Sequence, residues 1–438
     1  MLLTYCLLQV YSIAFMKKIQ LLFSAALLGG APCMADTNGD VERVVRVVGN
    51  DTVTEYNVAV LDSLLINPEK AQLQADKSIY VYLNNNTHDV IPMTRDTYIE
   101  FAENIYATEA TEYDIPVVFH VFYSQASQRL EYVEEGHLPK VLEAVNRRFA
   151  NCGQNLKLKF HLAEVDPAGN VMPEPGVDRQ KVRIATLDSS DFLNDTSFML
   201  RLASGERKQA EDFIWDPTKY LNICLFREKD PAVVGISSFP YTLHPDTLAG
   251  MPKLMEARPV SELDYPHCVY INSTYIYDLE PESYKTSEIV GMLCHEISHY
   301  LGLRHAFGEH PETYSRDCDM DTDFCEDTPT YNKAQYDQYL MRNYPADGVF
   351  TPELVAQLAQ RTVSETNSLY TKGDTFISTN IMDYAVSYLN ELSPQQCERI
   401  RYILMRSPYV PGPKVKREHT PAPARSSKKQ PFPHRIAY

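Results

Sequence analysis

Residues 288–305 limit most strongly what this chain can fold into. Apolar residues recur there at steps of three and four, which is the spacing of an amphipathic helix, and Thr286 or Ser287 is a suitable helix cap. His295 and His299 lie four residues apart on that helix. Side chains at this spacing project from one face about a turn apart, so the two imidazoles suit two positions of a tetrahedral zinc site.

Three further residues of this run complete the predicted site. Glu296 follows the first histidine, where its carboxylate is able to take a proton from zinc-bound water as a general base. Gly302 has no Cβ and tolerates a positive φ, so the helix ends there and the chain turns. The turn brings His305 round as the third ligand and leaves the fourth position to water. The pattern predicts a hydrolytic zinc centre.

The spacing H-E-x-x-H-x-x-G-x-x-H resembles the signature of the metzincins, which are zinc endopeptidases. The resemblance implies a methionine-containing turn beneath the metal, and residues 380–384 fit it, with Met382 as the apolar floor. It also implies that Tyr384 lies near the zinc and donates to the oxyanion of the tetrahedral intermediate.

A closer resemblance, over residues 113–405, is to the pappalysin group of the metzincins. The segments that carry it are 115–121, 221–223, 235–240, the acidic segment that ends at Pro329, and 380–384. Bacterial members are secreted or lipoprotein peptidases, which implies protein or peptide substrates. The chain departs from the group in a long insert between His305 and Met382, with helical patterns at 331–344 and 352–363.

The acidic stretch 317–327 supports two more hypotheses. Its alternate carboxylates form an oxygen array of the kind that Ca²⁺ favours, the alternative being a solvated acidic loop. These carboxylates belong to Asp319, Asp321 and Asp323. Cys318 and Cys325 lie in the same polar segment and are the best candidates for a disulfide among the cysteines outside the leader.

The order of elements predicts an α/β (α+β) fold. Strands are predicted at 117–122, 156–162, 220–226 and 268–272, with helices at 138–150 and 191–213. Ser393, followed by a proline and with Gln396 three residues on, is a capping box that opens a last helix. The family resemblance implies a metzincin-type catalytic domain with a twisted mixed sheet, an active-site helix and a Met turn.

Composition shifts divide the chain into four parts. Residues 1–35 are a signal segment, 36–112 a small β-rich prodomain or accessory module, 113–409 the catalytic domain, and 410–438 a basic, Pro-rich disordered tail. Within the second part, residues 41–48 and 52–61 flank a turn signal and predict a hairpin.

The leader predicts export. Met16 is followed by two lysines and an apolar run at 19–31, which makes Met16 the expected true start. Simple secretion is one interpretation, and a lipoprotein with Cys33 as the acylated residue is a second. A retained membrane helix is the third, and it is disfavoured because the apolar run is too short to span a bilayer. On the second interpretation a lipid anchor is the chain's one membrane attachment.

Net charge argues against nucleic acid as a partner. The 438 residues contain 41 Lys plus Arg against 58 Asp plus Glu, a formal charge of -17, and this disfavours phosphate contacts. The zinc motif and the family resemblance imply that the function is zinc-dependent hydrolysis of peptide bonds. The alternatives are a catalytically silent surface binding protein or adhesin on the same fold, and amide hydrolysis of a non-protein substrate.

Overall fold

The computed structural model describes residues 21–22, 39–48, 53–58, 61–66, 78–92, 97–153, 155–194, 198–263, 266–279, 288–346, 348–384 and 386–416. Within them, no helix is both long and apolar enough to cross a bilayer. Met16, Cys33 and the tail beyond residue 416 lie outside the described residues, so the leader and the disordered tail stay predictions. The chain divides into two compact units, Met1–Ala110 and Thr111–Tyr438.

The first unit is built from antiparallel strands: β1 Leu21–Leu22, β2 Gly39–Val48, β3 Val53–Asn57, β4 Leu61–Ile66, β5 Ser78–Leu83, β6 His88–Pro92 and β7 Tyr98–Ala107. Its sheets have the orders β1-β4-β5-β6 and β3-β2-β7. The predicted hairpin is confirmed, since β2 and β3 pair antiparallel up to Val48 and Val53. Val45 and Val47, on either side of the half-buried Arg46, are buried in the core of this unit.

The second unit is organised by a mixed sheet of seven strands. All strands of this unit are β8 Tyr113–Tyr123, β9 Leu158–Leu162, β10 Val177–Lys181, β11 Thr186–Leu187, β12 Leu200–Arg201, β13 Arg207–Lys208, β14 Leu221–Glu228, β15 Gly235–Ser237, β16 Thr242–Leu243, β17 Lys253–Leu254, β18 Val269–Asn272, β19 Gln360–Thr362 and β20 Thr375–Ile377. The sheet order is β10-β8-β14-β18-β15, with β9 beside β8 and β11 beside β14. Every pairing in it is parallel except that of β15 with β18. The predicted mixed α/β fold is confirmed.

The second unit also contains helices, and some of them pack against this sheet. The helices are α1 Arg129–Tyr132, α2 His137–Ala150, α3 Ser189–Asn194, α4 Ile289–Tyr300, α5 Lys333–Asn343, α6 Pro352–Leu358 and α7 Pro394–Arg406. Helix α2 packs against α4 and β9, and α4 packs against β15 and β18. All residues of α4 are buried, so this helix lies inside the unit and not on its surface.

The predicted helix over 191–213 is wrong in most of its length. Helix α3 ends at Asn194, and β12 and β13 form a short hairpin with a turn at Gly205, whose φ is 97°. Phe192, Leu200 and Phe213 are all buried in one apolar cluster. These residues are apolar because the chain folds back over the cluster and buries each of them there. Their spacing resembles that of a helix although most of the segment is not helical.

The part of the chain after the zinc-site motif forms a smaller layer. It holds α5, α6, the β19–β20 hairpin and the C-terminal helix α7. The helical pattern at 331–344 is confirmed as α5, whereas the pattern at 352–363 is helical only to Leu358 and continues as β19, which pairs with β20. Helix α7 begins as predicted, with a reciprocal capping box between Ser393 and Gln396. The buried residues Ile400, Ile403 and Leu404 anchor α7 in the core.

Candidate metal and catalytic site

Helix α4 begins one residue later than the sequence pattern indicates. Its N-cap is Glu288, whose carboxylate accepts from the amides of Val290 at 2.9 Å and Gly291 at 2.7 Å. Arg148 of α2 pairs with the same carboxylate at 3.2 Å. The predicted cap at residues 286–287, which lie outside the described part of the chain, is therefore wrong. A carboxylate satisfies the amides and the positive end of the helix dipole better than a hydroxyl does.

Three buried imidazoles converge beyond this helix start. Ligand atoms of His295, His299 and His305 all lie within 4.8 Å of one another, and no other cluster of metal-binding side chains is found in the described residues. The Nε2 atoms of His299 and His305 are 3.2 Å apart. Two nitrogens bound at about 2.0–2.1 Å to one tetrahedral zinc are about 3.3–3.4 Å apart, so the donor set fits zinc.

The electrostatics of the triad favour metal over protons. Burial and the neighbouring imidazoles lower the pKa of His295 well below its usual value, and burial lowers that of His299 to about 3. Burial and nearby cations likewise lower the pKa of His305. Metal ligation requires the neutral imidazole, which is the form that these surroundings stabilise.

Backbone carbonyls orient two of the rings. The Nδ1 atom of His295 lies 2.8 Å from the carbonyl oxygen of Ile381, and that of His299 lies 2.8 Å from the carbonyl oxygen of Leu303. An N–H donated at Nδ1 leaves the lone pair on Nε2, which is the atom that faces the other rings. Both partners lie outside the helix, so tertiary structure selects the tautomer.

The bend after the helix sets the third ring. Gly302 has a φ of 93°, and a Cβ at this position would lie 2.6 Å from Cγ1 of Ile403. The ring of His305 stacks on Phe307 with centroids 4.5 Å apart, and its Nδ1 lies 3.1 Å from a carboxylate oxygen of Glu309. Sequence reasoning missed Glu309; its spacing four residues after His305 was the available signal.

The methionine turn lies directly against the triad. Met382 is fully buried, and its amide donates to Oδ1 of Asn380 at 2.8 Å. Its carbonyl accepts from the amide of Ala306 at 3.1 Å, which ties the turn to the residue after His305. Together with the contact between His295 and Ile381, this places the turn predicted from the sequence at the base of the imidazole cluster.

Glu296 occupies a tight space beside the edge strand. It is 1% exposed, and its Oε2 has no hydrogen-bond partner among the described residues. A Cβ at Gly235 of β15 would lie 2.8 Å from its Cγ, so only glycine leaves room for this side chain. Burial raises the pKa of Glu296 well above its usual value. A desolvated carboxylate with a free oxygen is well suited to accept and return a proton.

Tyr384 covers the imidazoles from the side of the methionine turn. Its ring centroid lies 4.8 Å from that of His305 and 5.7 Å from that of His295. Its hydroxyl oxygen accepts from Nη2 of Arg316 at 3.2 Å. Burial raises the pKa of Tyr384, although Arg316 opposes this, so the hydroxyl stays protonated.

A buried arginine of the insert supports the methionine turn. Arg361 pairs with Asp383 at 3.4 Å, donates to the carbonyl of Val386 at 2.8 Å, and lies 3.5 Å from the ring centroid of Tyr336. The hydroxyl of Tyr331 also donates to Asp383. No local pattern in the sequence indicates this cluster, because its members come from separate elements.

The structure does not support the calcium hypothesis. Asp319 is engaged with Asn332 and Lys372, and it forms no metal-binding cluster with Asp321 and Asp323 among the described residues. Asp321 and Asp323 instead accept amide hydrogens, Asp321 from Asp323 and Asp323 from Cys325. The carboxylates satisfy loop amides, which leaves no shared oxygen cage.

The predicted disulfide is absent. Cys318 and Cys325 are both buried free thiols. The Sγ of Cys325 contacts the carbonyl of Asp323 at 3.7 Å, and the carbonyl of Cys318 lies against Gly308. Each cysteine thus packs within its own turn of the loop, and sequence proximity alone misled the pairing.

Comparison with known proteins agrees with the motif. Residues 204–405 match the family model Peptidase_M43, described as pregnancy-associated plasma protein-A. Mature mirolysin from Tannerella forsythia, in complex with a cleaved peptide, is 19% identical with a TM-score of 0.41, over 66% of this chain and 91% of that chain. A promirolysin mutant of the same organism is 18% identical with a TM-score of 0.43, over 68% and 83%. A search of curated proteins gave no match.

The matched segment contains all the motif residues, from His295 to Tyr384. The match covers 202 of the 438 residues, and this segment, 204–405, is similar to the Peptidase_M43 family.

Proposed function

We propose that the protein is a zinc-dependent endopeptidase in which His295, His299 and His305 hold the metal and Glu296 is the general base. The observation that carries the proposal is the convergence of three buried imidazoles within 4.8 Å, beside a buried carboxylate with a free oxygen. Zinc, when bound there, lowers the pKa of water and polarises a carbonyl group.

The chain's own residues supply the proton transfers. Glu296 accepts the proton of the attacking water and then delivers it to the leaving amine, and its buried position next to Gly235 keeps bulk water away. The hydroxyl of Tyr384, oriented by Arg316, donates to the developing oxyanion. Tyr384 therefore acts on the carbonyl oxygen of the reacting peptide, whereas Glu296 acts on the attacking water and the leaving nitrogen.

The substrate position follows from the sheet. Strand β15 ends the sheet order, and no strand among the described residues pairs with its other edge. A strand edge with no pairing strand binds extended peptides through main-chain hydrogen bonds. Gly235 of this strand contacts Glu296. A substrate peptide that pairs along β15 therefore places one of its internal peptide bonds next to the catalytic residues. This supports internal cleavage.

Peptide hydrolysis with and without chelator tests the function. Casein or a quenched peptide should be cleaved, and cleavage should stop with a chelator and return with Zn²⁺. The variant Glu296→Gln should bind zinc, but its rate of hydrolysis should fall by several orders of magnitude. Glu228→Gln is the matched control. Glu228 is also a buried glutamate, but its carboxylate accepts from the backbone amide of Ser189 and is not part of the proposed site. Binding to a protein ligand that survives chelation, with no cleavage, would favour the adhesin alternative.

We also propose export, as the leader indicates, with the lipid anchor at Cys33 as the alternative to simple secretion. Mass spectrometry of the mature N-terminus tests this. An unmodified N-terminus near residue 36 supports secretion, a diacylglyceryl Cys33 supports the anchor, and a start near residue 113 supports a removed prosegment.

A further inference from the structure

We propose that Glu309 is a positioning residue for the third metal ligand. Its carboxylate accepts the Nδ1–H of His305 and thereby presents the Nε2 of that ring to the metal. The inference rests on the proposed zinc site, and it assigns to Glu309 a role that the zinc motif itself does not contain.

The contact is buried and specific. Nδ1 of His305 forms no hydrogen bond with the described residues, and Oε1 of Glu309 lies 3.1 Å from it. The two residues are 3% and 1% exposed, with Glu309 the more exposed. The other two rings of the triad, His295 and His299, have backbone carbonyls at their Nδ1 atoms. The Nδ1 atom of the third ring faces a carboxylate instead. An ionised acceptor holds the ring more firmly and makes Nε2 a stronger donor than a carbonyl does.

His305 needs such a partner because it lies outside the helix. His295 and His299 are held by the backbone of α4, whereas His305 follows the bend at Gly302. A side chain on a loop has more freedom than one on a helix. The stack on Phe307 keeps the plane of the ring, with 16° between the two rings, but a 180° flip about the Cβ–Cγ bond preserves that plane and moves Nδ1 to the other side. The contact of Nδ1 with Glu309 removes that freedom.

The fold holds Glu309 in place by its backbone. Its amide donates to Oγ1 of Thr322 at 3.1 Å, and the amide of Gly308 donates to the carbonyl of Tyr331 at 3.0 Å. A Cβ at Gly308 would lie 2.2 Å from the carbonyl oxygen of Cys318, so the acidic loop closes directly over this segment. The acidic loop 317–327 therefore helps to hold Glu309 against His305, and this structural role does not require calcium.

Zinc affinity of the whole protein tests the inference without reference to activity. We expect Glu309→Ala to raise the Kd for Zn²⁺ by about 10- to 100-fold, measured by competition with a chromophoric chelator, and Glu309→Gln to raise it less, because its amide oxygen still accepts. Glu312→Gln is the control, an exposed glutamate three residues along the same loop, and should leave the Kd unchanged.

A double-mutant cycle separates positioning from a general effect on the loop. In a His305→Ala background, Glu309→Gln should change the Kd by less than about twofold, because the partner ring is gone. An equal loss in both backgrounds, or a Kd for Glu309→Ala within about twofold of wild type, would overturn the inference and leave the proposed function intact. Wild-type protein that binds no zinc would overturn the proposed function and this inference together.

Discussion

Gly235 and Glu296 are in van der Waals contact across the boundary between the edge strand and the active-site helix, with a virtual Cβ of the glycine only 2.8 Å from Cγ of the glutamate. Since φ of Gly235 is not positive, the glycine is required by space and not by backbone conformation. Strand β15, which is proposed to bind the substrate, therefore contacts Glu296, which is proposed to transfer protons, at Gly235.

Gly235→Ala should displace Glu296 and lower kcat/KM. A shift of about 1 Å in a catalytic group costs on the order of 100-fold, so we expect a loss of about 10- to 100-fold with zinc affinity unchanged. Ser237→Ala, a buried residue of the same strand, is the control and should stay within about twofold of wild type. Full activity of Gly235→Ala would show that Glu296 has another position available.

Tyr384→Phe should separate catalysis from metal binding. The ring contacts with His305 remain, whereas the hydroxyl that is bonded to Arg316 is lost. Removal of one oxyanion donor lowers kcat by about 100- to 1000-fold, and the Kd for Zn²⁺ should not change. Tyr339→Phe, on the exposed side of α5, serves as the matched control. A kcat close to wild type would remove Tyr384 from the mechanism.

Arg361→Leu should unfold the layer that carries the methionine turn. Removing one member of a buried ion pair costs about 3–5 kcal/mol, because Asp383 is left charged and desolvated. Chemical denaturation measures this loss. Lys372→Gln breaks an exposed pair with Asp319 and should cost less than about 1 kcal/mol. Similar losses in the two variants would contradict the structural role of Arg361.

His267 should make stability depend on pH. Burial lowers its pKa to about 3 in the folded protein, from 6.5 for an ordinary histidine. Between these values the unfolded chain binds the extra proton, so the free energy of unfolding falls as the pH falls and recovers as the pH rises.

His267→Phe should remove this dependence and keep the ring packed on Tyr300. Denaturation curves between about pH 4 and pH 8 should give a wild-type-minus-variant difference that changes by up to about 1.4 kcal/mol per pH unit in the acid range. The metal-ligand histidines cancel because both proteins contain them. A difference that does not vary with pH would contradict the burial of a neutral ring.

Local features of the chain were predictable because their physics is local. The helix period brings His295 and His299 to one face, Gly302 permits a bend that a Cβ would obstruct, and Ser393 satisfies the first amides of α7. The mixed α/β character followed in the same way from runs of apolar residues. None of these features requires knowledge of what lies elsewhere in the sequence.

Contacts between distant residues were decided by the tertiary structure. The cap at Glu288 depends on Arg148, and the methionine turn depends on Arg361. The helix expected over 191–213 failed for the same reason, because burial against the sheet outweighs local period. Residue types and their spacing specify which groups are available for chemistry. The packing of separate elements selects the partners of those groups, because a buried charge is stable only where packing supplies a partner for it.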